Sequence, residues 1–166
     1  MYETQDRWIE DAGIIHRCRN LTITELPLDG NAQNDIFKVY MADTGLFVSM
    51  LEDGTQNSII NGDLWGYKGA IFENLIADML GKMGRKLYYY HKESGLELDF
   101  VLRYKGECVP LECKAKSGRA KSLQTVLAHT EKYHVLHALK LGDYNVGRDG
   151  ALLTLPLYMG FLLTQV

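Results

Sequence analysis

Cysteine and proline are scarce, three of each in 166 residues. Cys18, Cys108 and Cys113 fall in no paired metal-ligand spacing, which excludes a zinc knuckle or a disulfide framework and points to buried thiols in a reducing, cytoplasmic setting. No Gly-x4-Gly-Lys-Ser/Thr phosphate loop occurs, so no ATP site is expected in this chain. The amino terminus, MYETQDRW, is polar where a signal peptide would be charged and then apolar. Long apolar runs are missing too: residues 151–163 are broken by Pro156 and too short to cross a bilayer, so no membrane partner is expected. No Ser-His-Asp ordering stands out. His134 and His137 lie on a predicted strand where they would point to opposite faces, and His16, His91 and His129 have no partner at ligand spacing.

What is present is globular. With 46% hydrophobic residues and ten tyrosines, the chain can bury one core, or a core with a small appendage. A formal net charge of −3 argues against a dedicated nucleic-acid binder, but its distribution is uneven. Residues 82–121 carry ten Lys or Arg against five Asp or Glu, so basic charge is concentrated in one stretch.

That stretch contains the organising feature, GLELDFVLRYKGECVPLECKAK over residues 95–116, which reads as a β-hairpin. Alternation puts Leu98, Phe100 and Leu102 on one side of its first strand, with Glu97, Asp99 and Val101 on the other. In the second strand Val109, Leu111, Cys113 and Ala115 face the apolar side, while Glu112 and Lys114 point with Asp99. Gly106 supplies the turn. A Lys105-Gly106 loop would place Asp99 opposite Glu112, whereas a Gly106-Glu107 loop would place it opposite Lys114. Either register gathers two carboxylates and one ammonium. Opposed carboxylates are tolerated if water screens them, if one is protonated, or if a cation lies between them. A plain solvated face of an antiparallel sheet is the competing account.

The spacing Asp99-x12-Glu112-x-Lys114, with Glu97 two residues ahead of Asp99, resembles the PD-(D/E)XK phosphodiesterase signature, although Leu98 stands where that signature has proline. The words ELDFVL, then VPLECKAK, preceded by GAIFENLIADML, resemble the C-terminal half of a bacterial and archaeal AAA-type ATPase family. That half is a domain of unknown function for which a restriction endonuclease-like fold is expected. The resemblance covers nearly the whole chain and implies an α/β fold in which helices flank a central mixed sheet. It also implies a Mg²⁺ or Mn²⁺ site at Asp99, Glu112 and the carbonyl of Cys113, with Lys114 as a catalytic group.

Upstream, residues 4–12 read as a short helix closed by Gly13, followed by strands at Ile14–Arg17 and Phe37–Met41. This unit resembles the back half of a winged helix, so residues 1–51 are expected as a partial winged-helix segment and 52–166 as the nuclease-like domain. The missing first helices would precede Met1, which implies a piece of a longer protein with an upstream ATPase domain as partner. Asp43 to Leu51 is a second helix, in a word, ADTGL, that also matches the family, and residues 52–63 read as a polar loop.

Residues 69–82 form the clearest helix, with Phe72, Leu75, Ile76, Met79, Leu80 and Met83 in one apolar stripe. Glu73 flanks that stripe. It is either a solvated helix charge or, as the family word G-x-x-x-E-N implies, a further ligand of the metal site. Leu87–His91 is a strand that would pair with the hairpin. A basic loop, Lys116, Arg119 and Lys121, leads to a helix with Leu123, Val126 and Leu127 inward, and would contact phosphates without reading sequence. Strands at 133–141 and 152–155 and a short helix at 158–163 complete the chain.

Three functions are compatible with this pattern. The first is metal-dependent hydrolysis of DNA phosphodiesters, in which Lys114 orients or deprotonates the attacking water. The second is a catalytically silent DNA-docking or regulatory module of the ATPase. The third is a protein-interaction domain with a surface ion network. Oligomeric state has no sequence signal.

Overall fold

The computed structural model describes residues 3–63, 66–114, 118 and 120–164. Helix α1 (Glu3–Asp11) ends at Gly13, whose φ of 71° is the left-handed turn a glycine makes at low cost. Strands β1 (Ile15–Leu21) and β2 (Ala32–Met41) form an antiparallel hairpin. Asp43 then caps α2 (Thr44–Ser49), its Oδ1 accepting the Leu46 N–H at 2.7 Å. A further short helix, α3 (Thr55–Ile60), occupies part of the stretch expected as a polar loop.

Helix α4 (Lys68–Lys82) leads into β3 (Leu87–His91), β4 (Glu97–Leu98), β5 (Phe100–Tyr104) and β6 (Glu107–Lys114). Helices α5 (Lys121–Ala128) and α6 (Thr130–Tyr133) precede β7 (Ala138–Gly142), β8 (Gly147–Asp149) and β9 (Leu152–Pro156). A 3₁₀ turn over Leu157–Leu162 follows. β7 starts later than the sequence suggests because Tyr133 still belongs to α6 and His134 leaves it in a left-handed conformation, φ 52°.

Two mixed sheets result, β2-β1-β3-β4 and β5-β6-β7-β9-β8. They meet where the β4–β5 run is interrupted at Asp99. The sheets are covered on both sides. On one face Ile76, Ala77 and Leu80 of α4 pack with Phe100, Leu102, Val109, Leu111, Leu139 and Leu141. On the other, Leu123 and Val126 of α5 pack with Tyr88, Tyr90, Leu98, Val101 and Ala138. This is a mixed α/β architecture with helices on either side of the strands.

The β5–β6 turn is Lys105-Gly106, with φ of 51° and 80°, the pair of left-handed residues a two-residue hairpin needs. Tyr104 therefore pairs with Glu107 and Phe100 with Leu111, which is the register that sets Asp99 opposite Glu112. One face assignment is corrected. Leu98 packs with Val101 on the α5 side, while Phe100 and Leu102 face α4, because the bend at Asp99 breaks the alternation. A second correction concerns β6, which lies between β5 and β7 and is buried continuously over residues 108–113. It therefore offers no solvated charged face.

The hairpin expected in a partial winged helix is built into the first sheet. β1 runs parallel to β3 through Cys18–Leu87, Arg19–Tyr88 and Asn20–Tyr89, across the boundary expected at residues 51 and 52.

Candidate acidic and lysine site at the sheet break

Asp99 stands at the break between β4 and β5, one position beyond the Phe100–Leu111 pair. Its Oδ2 accepts the Cys113 N–H at 2.8 Å, so the side chain takes a strand donor that lies beyond the paired ladder. Opposite it Glu112 is only 5% exposed. One of its oxygens, Oε1, lies 2.5 Å from Lys114 Nζ. The other, Oε2, is buried with no hydrogen-bond partner among the described residues. Such an atom carries a desolvation penalty until a donor or a cation reaches it.

Glu73 enters from α4, on the helix face that meets β2. The Tyr40 hydroxyl donates to its Oε2 at 3.4 Å. Lys38, two residues earlier on β2, lies over the Tyr89 ring at 4.9 Å and pairs with Glu97. Lys38 and Tyr40 are groups that sequence reasoning missed. Their strand was recognisable, but its assignment to a separate unit removed it from the hairpin's neighbourhood.

These charges act on one another. Burial, chiefly, and then the Glu73 and Glu112 carboxylates push the Asp99 carboxyl up to about 7, against the Cys113 N–H and Lys114, which favour its ionised form. Burial works against the charge on Lys114, yet Glu112, with Asp99 and Glu73 behind it, holds its ammonium above the ordinary lysine range. Lys38 is likewise held up despite burial, mainly by Glu97. Glu97 is in turn pulled below the usual carboxylate range by Lys38. Burial raises the Cys113 thiol to about 12, so it is an inert neighbour and not a nucleophile.

The structure thus brings Asp99, Glu112, Lys114 and Glu73 into one electrostatic cluster. Lys121 is exposed at the start of α5. Lys116 and Arg119 lie outside the described residues. Among the described residues no group of three or more His, Cys, Asp and Glu side chains could hold a metal ion. The donor chemistry nonetheless fits a hard cation of the kind that uses one or two carboxylates and fills its shell with water and phosphate oxygens. Asp99 and the unpartnered Glu112 oxygen would be those two carboxylates.

Residues 68–158, more than half of the chain, match the family described as Domain of unknown function (DUF4143). The chain belongs to this family. The DUF4143 segment contains α4, the β5–β6 hairpin and all four of Glu73, Asp99, Glu112 and Lys114, while Lys38 and Tyr40 come from outside it. No curated protein and no solved structure matches the chain. Among the described residues no helix is long and apolar enough to cross a membrane.

Proposed function

We propose that this DUF4143 chain is a nuclease-like module that hydrolyses DNA phosphodiesters with Mg²⁺ or Mn²⁺, in a restriction endonuclease-like fold. DUF4143 is generally associated with C-terminal regions of AAA-type ATPases, which supports an upstream ATPase domain in the cytoplasm as its partner. The observation that carries the reading is Glu112, a buried carboxylate with one oxygen on Lys114 and the other unpartnered, beside an Asp99 carboxyl raised to about 7. A carboxylate so placed costs stability, and binding a cation would relieve that cost.

Asp99, Glu112 and the Cys113 carbonyl would hold the ion, which supplies a Lewis acid for the phosphate. Lys114, held protonated by its carboxylate neighbours, acts as a cation and hydrogen-bond donor. It orients the attacking water and stabilises charge on the phosphoryl oxygens, a role its raised pKa favours over that of general base. Glu73 accepts from Tyr40 and bears on Asp99 by charge, so its part is to set the field around Asp99.

A second reading, a catalytically silent DNA-docking or regulatory module, draws on the closed Lys114–Glu112 pair and on the absence of a three-carboxylate group among the described residues. Supercoiled plasmid and single strands incubated with Mn²⁺ separate the two. Cleavage abolished by Asp99→Ala and by Lys114→Ala supports hydrolysis. Cleavage that survives both substitutions would sink it, and salt-sensitive DNA retention without cleavage supports docking.

A further inference from the structure

A cavity of about 480 Å³ has no role in the site above. It lies at the carboxyl ends of parallel strands. β6, β7 and β9 are paired so that Lys114, Gly142 and Pro156 stand side by side in one row at their ends. Gly142 and Pro156 line the cavity, and Lys114 begins the proposed catalytic cluster one strand away. Ligands of open α/β sheets characteristically bind at this edge.

The lining is aromatic. Phe72, Tyr144 and Tyr158 contribute rings, with Asp143 and Asn145 as polar groups. Phe72 adjoins Glu73 on α4, so the cavity and the acidic cluster share that helix as well as the strand row. Gly142 is required by this arrangement, since a Cβ there would collide with the Lys114 carbonyl and the Tyr144 ring. Two of the rings carry ammonium groups: Lys140 Nζ lies 4.3 Å from the Tyr144 centroid, and Lys68 Nζ lies 5.4 Å from that of Phe72. Aromatic surfaces with cations beside them suit a nucleobase with its phosphate, and a purely apolar ligand would leave the polar groups of Asp143 and Asn145 in the lining unused.

We infer that this cavity takes an unstacked base of a single-stranded nucleic acid and so delivers the adjoining phosphate to the Asp99–Glu112–Lys114 row. The inference rests on the nucleic-acid reading of that row but concerns a different set of residues. Paired duplex cannot present a ring face to the cavity, so single strands are the substrate class it selects.

The test is binding, measured in EDTA so that no cleavage is involved, by fluorescence anisotropy of a labelled dT15, a U15, and an abasic 15-mer with the same phosphates. Tyr158, 73% exposed, can be replaced without loss of core packing, and Tyr144→Leu keeps most of the volume of the half-buried ring. Loss of one stacking ring should weaken dT15 or U15 binding about five- to a hundredfold in Tyr158→Ala or Tyr144→Leu, with the abasic strand weak throughout. Because the binding is read without metal and without turnover, its outcome stays separate from any failure of hydrolysis. Unchanged affinity in both ring variants, equal affinity for the abasic strand, or no retention of either single strand would overturn the inference even if Asp99-dependent cleavage is observed.

Discussion

At Asp99 the pH dependence has an unusual sign for an aspartate. Its carboxyl lies at about 7 when folded, against a reference value of 3.8. Between these values the unfolded chain has released the proton and the folded chain keeps it, so stability falls as pH rises through that window and levels off above it. The shift corresponds to ~4 kcal/mol at its upper limit. Asp99→Asn should remove most of that slope and raise the melting temperature above pH 7, as followed by circular dichroism from pH 4 to 8. An unaltered slope would mean that Asp99 is not the group responsible. The same proton should be expelled when Mg²⁺ or Mn²⁺ binds. Calorimetry in two buffers of different ionisation enthalpy should find close to one proton released per ion at pH 6 and close to none at pH 8.5. The charged residues of this site were legible because a period of two gathers them, but their register was open between two turns until the left-handed Lys105 and Gly106 selected the one that sets Asp99 opposite Glu112. The flip of Leu98 was not legible, since alternation carries no mark of the backbone bend at Asp99. Lys38 was equally hidden, because nothing local links it to Glu97, 59 residues away.

Among the elements, α4 shows how a helix can be recognisable from its stripe while its most consequential contact is polar. Ile76 and Leu80 are buried as the apolar pattern implies, but so is Asn74. Its Oδ1 accepts the Met41 N–H at 2.8 Å and its Nδ2 donates to the Met41 carbonyl at 3.1 Å. The amide thus completes the end of β2 as a neighbouring strand would, and fixes the angle at which α4 carries Glu73 toward Tyr40. Asn74→Ala leaves both Met41 groups without that partner and should cost about 2–4 kcal/mol. The measurement is a urea midpoint at constant m-value. A shift of under half a kcal/mol would show that water replaces the amide fully. Polar residues in a helix stripe read as interruptions in a sequence, which is why Asn74 drew no notice there. The short α3 and β8 escaped for a related reason: over a few residues, period carries too little signal against turn-forming composition.

For the whole molecule, the decisive fact is that the family segment does not contain all of its own sheet. β3 lies between β4 and β1, and β1 is supplied by residues 15–21. Further links cross the limits of residues 68–158. The Asn20 Oδ1 accepts the His91 N–H at 2.9 Å, the Thr24 hydroxyl donates to the Tyr133 carbonyl at 2.5 Å, and Arg85 donates to the carbonyl of Leu163. Cys18, Leu21 and Leu163 are almost wholly buried against residues inside the segment. Cutting the chain to 68–158 would expose the edge of β3 and remove those side chains from both cores, a loss of several kcal/mol for each core at ordinary burial energies. We therefore expect the isolated 68–158 fragment to lack a cooperative thermal transition in near-ultraviolet circular dichroism, while the 166-residue chain shows one. Adding the β1–β2 hairpin back in a 14–166 variant should restore it, because Cys18 and Leu21 of β1 are buried in the two cores whereas Trp8 and Ile9 of α1 are exposed. A sharp transition in the short fragment would mean instead that α4, the β5–β6 hairpin and β7 suffice to close the fold. In that event Lys38 and Tyr40 would be additions to a self-sufficient site, and not part of the surface that holds Glu73 and Asp99 in place.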